Sequence, residues 1–272
     1  MTARLPTRCV GKPWGKTQLP PPFTNASDVG PIGEIWFEPT PQLPDILVKY
    51  IFTSEKLSVQ VHPSDTQTQA MGLGRQGKEE CWLIVDADPG AVLGIGFTSP
   101  LSPAALRAAA LDGSIEGLMA WHPVKAGDFF YIPANTVHAI GAGISLIEVQ
   151  QSSDITYRLY DYGRPRELHL NEALAVAQLG PYDTKWQQHL PHTGPAQLVE
   201  GPYFRLDRTW GTPDAATRAR YAGPVLAIPI ESAIHIDGEV IHPGACGQAE
   251  SLSAIQFSKT GQCLIAQSVP RH

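Results

Sequence analysis

Apolar and polar positions alternate with a period of two over several short stretches of this chain. Gly, Pro, Asn or Asp separates the stretches, which is how half-buried strands and their turns read. The pattern predicts strands at Ile46–Phe52, Leu57–His62, Glu80–Val85, Phe129–Ile132 and Ser145–Gln150. Two helices interrupt the series. Ser102 followed by Pro103 supplies an N-cap and a first-turn proline for an Ala/Leu-rich helix over Ala104–Leu111, which Asp112-Gly113 ends. The run NEALAVAQLGP predicts a second helix over Asn171–Gln178, closed by Gly180-Pro181. Residues 181–195 are polar and flanked by proline, the composition of a linker, and short strands return at Val225–Pro229, Ser232–Ile236 and Cys263–Gln267. The chain is therefore expected to form a β unit with helical insertions over residues 1–180 and a second, smaller β unit over 181–272. Many short strands at regular spacing mean a sandwich or a barrel, and the expected fold is a mainly β jelly-roll barrel with a few helices.

Composition sharpens the class. The 272 residues are 43% hydrophobic and 17% charged, as in a globular protein, and Gly and Pro number 25 each, more than average but too few for a low-complexity chain. The net charge of −6, with no run of Lys or Arg, argues against a nucleic-acid or anionic-membrane partner, because both need clustered positive charge. An anionic ligand would have to be met by a few local cations. Cys9, Cys81, Cys246 and Cys263 share no metal-clip spacing and are too few for a disulfide scaffold, so reduced thiols are expected. The opening MTARLPTRCVGKPWGK lacks an apolar leader core, and a cytoplasmic protein, monomeric or homodimeric, is the expectation.

Three segments carry candidate chemistry. In LSVQVHP the alternation sends Ser58, Gln60 and His62 to one face and Val59 and Val61 to the other. In EECWLI it places Glu80 with Trp82 and Ile84, an inward face if Trp82 is buried. A carboxylate on an apolar face is costly unless it is paired or binds a metal. In GDFFYIPANTVH a strand ends in a proline-containing turn that returns His138 towards the same interior. Gln60, His62, Glu80 and His138 together make a mixed nitrogen and oxygen donor set suited to one divalent ion such as zinc, preformed by strands far apart in sequence. Taken singly, each of these residues has a plainer reading as a hydrogen-bonded or rim side chain; their conjunction is what points to a metal. His122, His169, His189, His192, His235, His242 and His272 have no partner at metal spacing and read as structural or solvated. Trp14, Trp36 and Trp82 read as packing aromatics.

Gly127–His138 matches the second cupin motif, G-x5-P-x-G-x2-H, with Asn135 where glycine is usual; asparagine tolerates the left-handed backbone such a turn needs. More narrowly, LSVQVHPSD (57–65), GKEECWLIV (77–85), IPANTVHAIG (132–141) and EVQQSSDITYRLYDYGR (148–164) resemble the type I mannose-6-phosphate isomerases of the short bacterial kind. That resemblance implies a zinc ion on Gln60, His62, Glu80 and His138, a catalytic arginine at Arg158, and a phosphorylated sugar held with the help of Lys49, Ser58 and Lys78. It implies interconversion of mannose 6-phosphate and fructose 6-phosphate through an enediol-type proton transfer. Two departures stand out: Pro13-Trp14-Gly15-Lys16 replaces a WGG-like run, and Glu79 replaces a small hydroxyl residue, which leaves open which glutamate binds the metal. The proton carrier is open too: metal-bound water, a carboxylate such as Glu79, or another group. Arg158 could instead pair with Asp154 or Asp161. A cupin oxygenase and a non-catalytic sugar-phosphate sensor are the alternative readings of the same site.

Overall fold

The computed structural model describes residues 3–24 and 29–269, so His272 lies outside the described residues. The strands are β1 (Thr7–Lys16), β2 (Ile32–Phe37), β3 (Ile46–Phe52), β4 (Val59–Val61), β5 (Glu80–Ala87), β6 (Val92–Phe97), β7 (Met119–Pro123), β8 (Asp128–Ile132), β9 (His138–Ile140), β10 (Ile144–Gln151), β11 (Tyr157–Tyr160) and β12 (Gln187–His189). They build a seven-stranded sheet in the order β1-β2-β3-β10-β5-β8-β12, facing a five-stranded sheet in the order β11-β4-β9-β6-β7. Further strands are β13 (Ala196–Glu200), β14 (Phe204–Trp210), β15 (Val225–Pro229), β16 (Ile234–Ile236), β17 (Glu239–Ile241), β18 (Gly247–Ala249), β19 (Ile255–Gln256) and β20 (Gln262–Ser268). These give a five-stranded sheet, β13-β14-β20-β15-β18, and a three-stranded one, β17-β16-β19. The protein is mainly β, of the expected cupin type.

Why the seven-stranded sheet reads as nearly continuous apolar sequence follows from what covers it. β3 (ILVKYIF) and β10 (ISLIEVQQ) are buried at every position. On one face Trp82, Ile84 and Leu146 pack with Leu93, Ile95 and Ile140 of the facing sheet. On the other, Val48, Tyr50, Cys81, Leu83 and Val149 pack with Leu206, Leu226, Ile228 and Leu264 of the later sheet. A strand covered on both faces has no solvent side to mark with polar residues. Each large side chain buried this way contributes roughly 1.5–3 kcal/mol.

The helices are α1 (Asp65–Ala70), α2 (Pro103–Asp112), α3 (Ile115–Leu118), α4 (Leu170–Val176) and α5 (Ala215–Ala219). Ser102 caps α2 by accepting from the Ala105 amide, and Gly113, at φ 82°, ends it in the left-handed region, as the sequence signals require. Leu106, Ala109 and Ala110 of α2 and Ala173 and Val176 of α4 pack on Val59, Val61 and Leu159, covering the outer face of the smaller sheet. The segment expected as a linker contains a short 3-10 turn, Thr184–Trp186, and β12, whose Gln187–His189 pairs antiparallel with Phe130–Asp128. An open sheet edge presents unpaired donors and acceptors, and β12 closes the edge at β8. All four cysteines are free.

Candidate metal and substrate cleft

The metal candidates meet because three strands converge. Gln60 on β4 pairs directly with His138 on β9, and His62 follows β4 by one residue. Across the interior, β5 opens with Glu80, on the same face as the fully buried Trp82. The turn that returns His138 depends on Asn135, whose φ of 72° is the left-handed conformation asparagine adopts more readily than most residues. Asn135 is also held in place: its backbone amide donates to the His62 carbonyl at 2.8 Å and its side-chain amide to Gln67 at 2.6 Å. The turn and the first histidine strand are thereby fixed to each other.

His62, Glu80 and His138 are each about 1% exposed and form a cluster able to hold a metal ion, their candidate ligand atoms lying within 4.8 Å of one another. The Nε2 atoms of His138 and His62 are 3.3 Å and 3.6 Å from Glu80 Oε1 and Oε2. Nδ1 of His62 lies 2.8 Å from the Ile155 carbonyl, and Nδ1 of His138 lies 2.9 Å from the Thr136 carbonyl. Only an N–H can face a carbonyl, so each ring carries its proton on Nδ1 and turns an Nε2 lone pair to the cluster. Burial lowers both imidazole pKa values, that of His138 to about 4, with Lys78 pushing in the same direction. Neutral imidazoles are the ligand form. Glu80 Oε1 is buried, accepts no hydrogen bond, and faces the His138 lone pair. Two imidazole nitrogens and a carboxylate that converge this closely in a buried site are a donor set that fits a divalent metal. Gln60 places its amide Nε2 3.3 Å from His138 Nε2 while its Oε1 accepts from Ser58. A half-turn of that amide exchanges the two atoms and presents the oxygen as a fourth donor.

His62 and His138 lie buried beside Glu80, which with Gln60 lines a cleft of about 450 Å³. Alternating charges run across its inner wall over four adjacent strands. Glu34 on β2 lies 4.0 Å from Lys49 on β3, and Lys49 lies 3.1 Å from Glu148 on β10. Lys78, just before β5, lies 3.9 Å from Glu148 and hydrogen-bonds Glu80. Trp82 donates to Glu148 at 3.0 Å. Burial opposes ionisation of Glu148, yet Lys49 and Lys78 outweigh it and hold the carboxyl below its ordinary range. At Glu80 burial, reinforced by Glu148, wins over Lys78 and raises the pKa. Lys49 and Lys78, each about 5% exposed, are thus buried cleft residues rather than solvated edge charges. Ser58 lines the same cleft.

Arg158 sits on the opposite wall beside Arg166 and His169. Its guanidinium donates to the Glu167 carbonyl at 3.5 Å and forms no ion pair among the described residues. The carboxylate considered as its partner, Asp161, takes Arg164 and Arg166 instead, the latter through two bonds. His169, read from sequence as structural or solvated, lines the cleft, and its Nδ1 accepts from the Arg158 amide at 3.3 Å. Trp14, read as a packing aromatic, is buried and also lines the cleft, while Trp36 lies 4.4 Å below the Lys49 ammonium and 4.3 Å from Arg8.

Glu79 corrects an expectation. Its carboxyl accepts from Tyr131 and borders a separate cavity behind the sheet, so it is neither in the cluster nor within reach of a ligand in the cleft. Successive residues of a strand point to opposite faces, and Glu80 has the inner one. Glu34, Glu148, Arg166 and His169 were missed. The signal for the two glutamates was present, a lone charge inside IGEIWF and ISLIEVQQ, where an apolar strand gives an acid no reason to exist without partners.

No protein-family model matches the chain. Among curated proteins, it is 43% identical over 169 residues to the mannose-6-phosphate isomerase of Streptococcus mutans, covering 59% of this chain and 53% of that one. It is 35% identical over 208 residues to the mannose-6-phosphate isomerase ManA of Bacillus subtilis, covering 73% of this chain and 65% of that one. The chain belongs to the type I mannose-6-phosphate isomerase family. It spans between half and two thirds of the length of these curated relatives. The fold likeness reaches further. The crystal structure of the mannose 6-phosphate isomerase of Bacillus subtilis superposes with a TM-score of 0.76 at 22% identity, covering 97% of this chain and 98% of that one. The apo form of the Salmonella typhimurium enzyme superposes with a TM-score of 0.72 at 14% identity, covering 99% and 100%. Among the described residues no helix is long and apolar enough to cross a membrane.

Proposed function

We propose that the chain is an aldose–ketose isomerase that interconverts mannose 6-phosphate and fructose 6-phosphate with one bound zinc ion. The observation that carries the reading is the buried His62–Glu80–His138 cluster, whose Glu80 lines a cleft with walls that bring cations to an acidic protein. Gln60, His62, Glu80 and His138 hold the metal in this reading. Bound there, zinc would supply Lewis-acid polarisation of a substrate oxygen. Moving a proton between C1 and C2 builds negative charge on the adjacent oxygens, and the unpaired Arg158 guanidinium supplies fixed donors to that charge. Arginine stays protonated and is no base. Glu79, on the other face, is not the proton carrier in this reading. Lys49, Ser58 and Lys78 together help hold the phosphorylated sugar. In this reading residues 1–180 form the metal-binding catalytic unit, residues 181–272 cover its outer sheet, and the protein works in the cytoplasm as a monomer or homodimer.

The test is conversion of mannose 6-phosphate to fructose 6-phosphate by the purified chain, with unphosphorylated mannose as control. The reading expects turnover of the phosphorylated sugar alone. Equal turnover of both would remove the phosphate contacts, and none from folded, zinc-loaded protein would leave a sensor.

A further inference from the structure

A second cavity, of about 400 Å³, lies behind the first sheet, between β8, the Thr184–Trp186 turn and the β13–β14 hairpin. It shares no lining residue with the metal cleft. Its walls are apolar and aromatic: the rings of Tyr131 and Trp186 stand 5.2 Å apart at 43°, with Phe129, Leu198 and Val199 completing the surface. From the sheet, Glu79 and Gln188 line it with polar groups, and Glu79 is the charged one. A carboxylate has about four acceptor sites, and Glu79 receives the Tyr131 hydroxyl and the Ala134 amide, so acceptor capacity remains.

The charge of the cavity indicates what would fill it. Lys185, its one lining cation, is held by Asp183 at 2.7 Å with its ammonium 4.9 Å from the Trp186 ring. Glu200 at the rim is taken by Arg205 at 2.6 Å and Arg220 at 3.1 Å. What is left is a carboxylate acceptor framed by aromatic faces, which attract a cation through the ring quadrupole. The volume is at the small end of ligand sites. We propose that this cavity binds a small organic amine with an apolar body, its ring against Trp186 and Leu198 and its ammonium on Glu79. This site is independent of the isomerase reading.

The experiment is a calorimetric titration of the full chain with phenethylamine, with phenylpropionate as a probe of similar size and opposite charge. Saturable one-site binding of the amine alone, undisturbed by saturating mannose 6-phosphate, is expected. Leu198→Trp, which fills the cavity, should weaken it about tenfold or more, a change that titration resolves readily. Trp186→Ala, at a half-exposed position, should do the same and stands in if Leu198→Trp misfolds. No saturable binding, equal binding of the acid, displacement by mannose 6-phosphate, or unchanged affinity in the variants would each overturn the proposal.

Discussion

The two β units of this protein solve the same packing problem with different interiors. Between the three-stranded sheet and its five-stranded partner the interior is mainly aliphatic, built from Val225, Ala227, Ile234, Ile236, Ile241, Ile255 and Ile265, and the buried Asp207 carboxylate is taken up there by Tyr221 and Arg220. The first unit instead buries Glu34, Lys49, His62, Lys78, Glu80, His138 and Glu148 between its sheets. Buried charge costs several kcal/mol per ion unless paired. Here each is paired across neighbouring strands, or, at Glu80 Oε1, left with a lone pair that a metal would take up. The mainly aliphatic interior serves stability; the charged one carries the candidate site. The later unit contributes by covering the sheet that holds the ladder, so the first unit's working face can stay open.

The comparison breaks most sharply at the metal. Glu80→Gln should empty the site and abolish turnover, whereas Glu79→Gln, whose carboxyl lies on the other face and touches none of the ligands, should leave zinc near the wild-type level; metal content per chain measures both. Next in size, Arg158→Lys should keep fold and zinc yet lower kcat by about 10²–10³, because a point charge cannot reproduce a planar fork of donors. Steady-state kinetics alongside metal analysis checks it.

These two predictions also mark what could be read in advance. His62 and Glu80 were legible because strand alternation turns each inward, and His138 because a proline-containing turn returns it to the same interior, and β3 and β15 were read with the bounds they have. β1 and β2 were not. The first forty residues are dense in Pro and Gly, and β1 pairs with β2 through register shifts at Val10/Gly11 and Gly11/Lys16, so no clean alternation survives in the sequence. Because β1 and β2 carry Arg8, Lys12, Trp14, Glu34 and Trp36 into the cleft, half of one wall was invisible too. Partners on neighbouring strands that are far apart in sequence leave no spacing rule in one dimension, which is why the ladder from Glu34 to Glu80, across four adjacent strands, emerges only in the fold.

Smaller effects sharpen the contrast. Leu264→Ala, in the layer shared by the two units, should cost about 2–5 kcal/mol in chemical denaturation while leaving zinc binding in the folded protein unchanged. Asn135→Ala should cost ~1–2 kcal/mol, since alanine resists the left-handed turn, and Asn135→Gly should recover most of the backbone term. The two denaturation curves compared side by side test it.

The central claim is that the charged interior is a metal-dependent isomerase site. Mannose 6-phosphate turnover should vanish when a chelator strips the protein and return on stoichiometric zinc, with the fold intact throughout by circular dichroism. Turnover that survives complete removal of metal would contradict the account.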